Sequence, residues 1–428
     1  MTERLRALVD RLLALREVDV DQVVFGAAPM GDWGHRYALE DPLDESALAG
    51  FEAKHGVVLP VEYRAFLRHV ANGGAGPFYG LEPLAELVMD ELPTNAVEVK
   101  LDDEVVSRHA TGPREVPSVP SSLARPFPLE APWAPSEGPL PVALGQSPYD
   151  GCVRLAEQGC GYFDFLVVNG PRRGEVWSDY TAGEGPIRQA AASFLDWYEA
   201  WLDRAELEWL QQSAARLYMA HQELDGPHPA VRAYAPRLRE VLEGAPDWAD
   251  GWRAYAYAAM LLGERVAARE AFERARSAGG DEPQARACLD RVRVALKEGR
   301  FEDALSAIDE GLGQEALWFS TRSELQRSRV PALDGLGRGD EALDALRQLA
   351  EAARSSLDHH YQLAWRLLRG GDDAAAVRVL MDAVERDVGP GRDAATRDSV
   401  FVPFLTGLEE AGHAELAARM QAAELKAR

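Results

Sequence analysis

The chain has 428 residues, 46% of them hydrophobic, which is more than one ordinary core needs, so two domains are expected. Its formal charge is −24, and −16 of that falls in residues 1–220. Phosphate backbones need compensating cations, so direct nucleic-acid binding is disfavoured; a basic protein partner suits this surface, as does plain solubility. No run approaches 18 uninterrupted apolar residues, so no helical membrane span is expected. The N-terminal stretch lacks the apolar core of a signal peptide. Leu5, Leu8, Val9 and Leu12 instead form one stripe of a helix over residues 1–17.

Val23-Val24-Phe25 reads as a short strand, followed by a Gly/Pro turn and an extended piece at His35–Leu39. His35, near Trp33 and Tyr37, is expected to pack rather than to ligate. Leu43-Asp44-Glu45 opens a helix with Asp44 as N-cap, and Gly56 stops it. Pro60 suits the first position of the next helix, whose buried stripe is Tyr63, Phe66, Leu67 and Val70. Asn72-Gly73-Gly74 is expected to end it in a left-handed cap. An acidic run follows, with Asp90, Glu91, Glu98, Asp102, Asp103 and Glu104. It reads either as a solvated loop and helix face or as a landing patch for a cationic partner.

Nine prolines between Pro113 and Pro141 mark an irregular connector, with Phe127, Leu129 and Trp133 as its anchors. Strands are expected at Pro141–Leu144, Cys152–Leu155, Tyr162–Val168 and Glu175–Tyr180, joined by glycine turns into an antiparallel meander. Trp177 and Trp197 are expected in the core. A closing helix is expected from about Gly185-Pro186 past Leu210, until Leu224–Pro229 breaks it at a domain boundary.

The order of these signals resembles the SUKH superfamily, the Smi/Knr cell-wall-regulator-like domain. The residues that carry it are Phe51-Glu52, Gly56, Leu59-Pro60, Glu62-Tyr63-Arg64, Phe66-Leu67, Asn72-Gly73-Gly74 and Gly80-Leu81. Gly161, Leu166-Val167-Val168, Gly170, Gly174, Val176-Trp177 and Asp179 continue it, and the closing helix Ser193–Leu202 ends it. The match covers roughly residues 19–205. It implies an α+β domain with an antiparallel sheet and flanking helices, here residues 1–225.

From about Ala230 the composition turns to Ala, Leu and Arg. Five segments pair a Gly with an Ala five residues later: Gly263/Ala268, Gly299/Ala304, Gly337/Ala342, Gly371/Ala376 and Gly412/Ala417. The steps between the glycines are 36, 38, 34 and 41 residues. These segments look like tetratricopeptide repeats, with a period of about 34 residues, or a generic array of helical hairpins. Small residues let paired helices approach closely, and each hairpin must stack on its neighbours to bury its apolar face. The expectation is an all-α, tetratricopeptide-like solenoid over residues 226–428.

Chemistry-bearing motifs are missing. The glycines around Gly73-Gly74-Ala75-Gly76 precede no Lys-Ser/Thr, and there is no GxSxG, HExxH or EF-hand loop. His359-His360 read as surface or packing residues. Cys152, Cys160 and Cys288 form no CxxC, so neither a disulfide framework nor a zinc site is implied and a reducing cytoplasm is expected. No catalytic, metal or cofactor residue is assigned.

SUKH-like domains of bacteria resemble immunity proteins that sit beside polymorphic toxins, many of them nucleases. The resemblance therefore implies a non-catalytic protein that neutralises a basic toxin domain. Tyr79, Asp150, Asp179 and Tyr180, expected on exposed turns beside the sheet, would make the contact together with Asp90, Glu91, Asp102, Asp103 and Glu104. The alternative is a regulatory or scaffolding protein that assembles partners on its repeats; an uncharacterised hydrolase is a third reading.

Overall fold

The computed structural model of the protein describes residues 2–29, 34–84, 96–101, 104–109, 121–138, 140–143, 146–220, 228–279, 283–314, 317–352, 357–387 and 394–427. Two units divide it, Met1–Ala245 with Asp250–Arg269, and Pro246–Ala249 with Glu270–Arg428. The division falls later than the expected 225/226.

In the first unit, α1 (Thr2–Val18) buries Leu5, Leu8, Leu12 and Leu15, the 3-4-3 stripe of an amphipathic helix. Asp44 accepts from the amide of Ala47 and caps α2 (Glu45–His55), and Gly56 ends that helix at φ 67°. In α3 (Val61–His69), Pro60 is the N-cap, one position earlier than expected. The helix stops at His69 with Val70 as its cap, so the expected left-handed ending at Asn72–Gly74 is corrected. Those glycines serve a different purpose. Gly74, at φ 96°, bridges both Leu39 and Leu81, and a Cβ there would lie 2.4 Å from the Ala38 carbonyl oxygen.

The expected strand at Val23–Phe25 is a series of turns, and Pro141–Ala143 is irregular; Leu144 lies outside the described residues. Two strands not expected from the sequence, β1 (Ala96–Leu101) and β2 (Glu104–His109), pair antiparallel. The main sheet holds β3 (Cys152–Gly159), β4 (Tyr162–Val167), β5 (Val176–Asp179) and β6 (Ile187–Ala191), antiparallel in that order. The last strand corrects the expected helix start: Ile187–Ala191 pairs with β5, and α4 begins only at Phe194.

Both faces of this sheet are covered. Phe163, Phe165 and Val167 pack with Phe127, Leu129 and Trp133 of the proline-rich connector, which bridges to Ile187 at Trp133. On the opposite face Asp164 meets α4 (Phe194–Ala220). That double burial explains why β4 reads as a near-continuous apolar run rather than an alternating one. Rings join α3 to α4, with Tyr63 and Phe66 lying 4.8 and 5.1 Å from Phe194.

Farther along α4, the buried Glu206 is held by Arg11 of α1 and by Arg237 of α5 (Pro229–Gly244). Tyr218 lies 5.6 Å from Tyr257 of α6 (Ala249–Leu261). So α5 and α6, expected with the repeats, close the core of the first unit.

Candidate partner-binding groove

The five Gly/Ala pairs each make the same turn. Every one of the five glycines has φ between 69° and 90°. Each donates to a carbonyl three residues back at 2.9–3.2 Å, and the next residue donates to one five residues back at 2.8–3.0 Å. That pattern terminates a helix in a left-handed cap and turns the chain. The residue after the glycine then opens the next helix, and the alanine donates its amide to that residue's carbonyl. All five alanines are buried, at 4% exposure or less. The turns join α6 to α7 (Arg265–Ser277), α8 (Pro283–Lys297) to α9 (Phe301–Leu312), and α10 (Phe319–Gly335) to α11 (Gly339–Ala352). They also join α12 (Leu357–Arg369) to α13 (Asp373–Asp387), and α14 (Ala394–Glu410) to α15 (Ala414–Ala427). In the second unit, consecutive helices from α8 to α15 pack into one continuous apolar core.

Stacking places the first helices of successive hairpins side by side, and α10, α12 and α14 line an open groove of about 530 Å³. Tyr361 and Trp365, one turn apart on α12, face Pro403, Phe404 and Leu408 of α14. The rings of Tyr361 and Phe404 lie 5.5 Å apart. Beside Pro403 the Tyr361 hydroxyl donates to the Val400 carbonyl at 3.0 Å, and burial raises the pKa of that hydroxyl. The Arg369 guanidinium lies 4.7 Å from the centre of the Trp365 ring.

Arg366 enters the same groove. Its Nη2 donates to Asp334 of α10, whereas its Nη1 is buried without a hydrogen-bond partner. A buried donor left unsatisfied is costly to the folded state. Aromatic rings around an arginine are the residue types that carry most binding energy at protein interfaces.

The residues expected to bind a partner are placed differently. Asp150 is fully buried; it accepts from the amides of Ser122 and Ser147 and pairs with Arg125 at 2.9 Å. Asp179 is 1% exposed, accepts from the Thr181 amide at 2.6 Å and takes the Tyr149 hydroxyl. The expectation of two exposed carboxylates is therefore corrected: their acceptors are spent on the protein's own turns. Tyr79 and Tyr180 are half-buried. Tyr79 lies 5.4 Å from the Phe25 ring, and Tyr180 meets the Tyr162 ring edge-on at 5.6 Å with the Arg188 guanidinium 5.4 Å from its own ring centre. Tyr79 flanks the Gly159–Gly161 turn, since a Cβ on Gly159 would meet its ring. Asp90, Glu91, Asp102 and Asp103 lie outside the described residues, and Glu104 opens β2.

Trp177 and Trp197 are buried, and so are His359 and His360. His35 packs its ring edge-on to Trp201 at 5.7 Å, and burial pushes its pKa down to about 4. The three cysteines are free. Among the described residues no group of three or more His, Cys, Asp or Glu is placed to hold a metal ion, and no helix is long and apolar enough to cross a membrane.

Sequence reading missed Tyr361, Trp365, Arg366 and Phe404. The available signal was Tyr361 and Trp365 four residues apart on a helix, followed by a proline in α14. No model of a known protein family matches the chain, and no curated protein matches it.

Proposed function

We propose that this is a non-catalytic protein-binding protein that holds a basic protein partner, the best-fitting class being a nuclease-type toxin domain that it neutralises. The carrying observation is the groove between α10, α12 and α14, which Tyr361, Trp365, Arg366 and Phe404 line together. The class of partner rests on two further supports. One is the SUKH-like order of signals in residues 19–205. The other is the charge of −24, which speeds capture of a cationic protein and makes it salt-dependent. The setting that fits is the cytoplasm, where an immunity protein meets an incoming toxin. The α10–α15 hairpins act in the tetratricopeptide-like manner, as a rigid rack of helices presenting a groove.

Calorimetry of the full chain with the toxin domain encoded beside it tests this reading. Binding should weaken by about tenfold or more in Trp365→Ala, and cells expressing the chain should survive the toxin. No heat and no protection would defeat the proposal.

A second reading, a scaffold that assembles partners without neutralising any, is favoured by the groove's position within residues 330–411 and by the burial of Asp150 and Asp179. Binding lost in Trp365→Ala with no protection by the wild-type chain would select it.

A further inference from the structure

Resting on the reading that the partner is a basic protein, we propose that a second hollow, between α9, α10 and α11, docks a cationic amphipathic helix of that partner. The hollow has a volume of about 710 Å³ and draws on a different face of α10 from the first groove: residues 326, 329 and 333 rather than 330 and 334. Its walls are the second helices of two adjacent hairpins. Each wall carries two carboxylates, Glu302 and Asp309 on α9, Glu341 and Asp344 on α11.

Only two guanidiniums line the hollow, and both are engaged. Arg329 pairs with Asp309, and Arg338 donates to both oxygens of Glu341 at 2.6 and 2.7 Å. Asp344 is tied to Arg347 across one turn at 2.7 Å, an exposed pair that costs little to exchange. Glu302 makes no hydrogen bond or ion pair among the described residues. The hollow is therefore negative overall, with acceptors on both sides of an apolar floor that includes Leu305 and Leu333.

The floor continues past the hollow. Phe319 stands 80% exposed at the start of α10, two turns before Gln326 and on the same helical face, by the seven-residue spacing 319, 326, 333. A large ring left in water in line with a negative trough fits one occupant well. Lysines along both edges would meet the carboxylates of the walls, and an apolar stripe would cover Leu333 and Phe319. The same negative walls repel nucleic-acid phosphates and anionic lipid surfaces.

The probe is a fluorescein-labelled Lys/Leu amphipathic peptide of about 18 residues, five helical turns, with a Glu/Leu peptide as control. Anisotropy is read with the full chain at about 150 mM salt, where weak surface attraction is screened. The Lys/Leu peptide should bind and the Glu/Leu peptide should not. Binding should fall by about tenfold in Glu302→Lys/Asp344→Lys, and again in Phe319→Ser, whose exposed position leaves folding intact by circular dichroism. Asp382→Lys/Glu415→Lys makes the same charge change elsewhere on the array and should leave binding unchanged.

Equal weakening by both charge-reversal pairs, or no binding of the Lys/Leu peptide by the wild-type chain, would overturn the proposal. If the peptide fails while the basic partner still gives heat and Trp365→Ala abolishes it, this hollow is excluded and the wider reading stands.

Discussion

Asp164 shows how one side chain fixes the identity it needs. Its carboxyl is buried between sheet and helix, and three donors converge on it: Ser178 Oγ, Gln158 Nε2 at 2.7 Å and Trp197 Nε1 at 2.9 Å. Burial raises its pKa, and the three hydrogen bonds oppose that shift. An acceptor-only group is required, because an amide would turn an NH2 toward a donor. Asp164→Asn should therefore cost about 2 kcal/mol, the penalty of a buried unsatisfied pair, seen as a lower urea midpoint with unchanged slope. An unchanged midpoint would mean that relief from desolvation cancels the mismatch.

The same desolvation moves His35 in the opposite direction. Its Nδ1 accepts from the Tyr37 amide at 3.0 Å, and burial holds its pKa near 4. The unfolded chain takes up that proton near pH 6.5, so the unfolded state gains protons first and stability falls as pH drops from about 6.5 toward 4. Between pH 7 and 5 this one residue should account for about 2 kcal/mol of lost stability. His35→Asn keeps an acceptor for Tyr37 and cannot ionise, so its stability should decline less over that interval in paired urea titrations.

Among the elements, the glycines separate two kinds of constraint. Gly299 sits at φ 69° with open space where a Cβ would go, so Gly299→Ala should cost only the left-handed backbone, about 1–2 kcal/mol. Gly74 adds a contact with the Ala38 carbonyl, so Gly74→Ala should cost clearly more and shift the bridges to Leu39 and Leu81. Thermal melts of the two variants check the order. The contrast also explains what was legible in sequence. The Gly–x4–Ala spacing announced five hairpins because the turn and the helix packing are local. The ending of α3 was misread because Gly73-Gly74 serve a long-range bridge, which local capping signals cannot reveal. The strand β6 was missed for a related reason: Arg188, Gln189 and Ala190 are exposed at the sheet's edge and carry no apolar pattern. The groove was invisible because Trp365 and Phe404 are 39 residues apart and meet only once the hairpins stack.

For the whole molecule, the boundary between the units decides what can be separated. A cut at 225, where composition changes, would remove α5 and α6 from the first unit. Trp209 would lose the Tyr234 ring at 5.7 Å, Tyr218 would lose Tyr257, and Glu206 would lose Arg237 while keeping Arg11. Uncovering large aromatic side chains in this way costs on the order of 2 kcal/mol each, more than the half-exposed ion pair contributes. Residues 1–225 should therefore bind a dye specific for exposed apolar surface and melt well below the full chain, whereas residues 1–279 should melt cooperatively without dye binding. The composition shift marks where the alternating strands stop, and the break at Leu224–Pro229 marks where one helix ends, but neither reports which neighbour the next helix packs against. If residues 1–225 prove as stable and dye-silent as residues 1–279, then α5 and α6 are passengers on the first unit rather than part of its core.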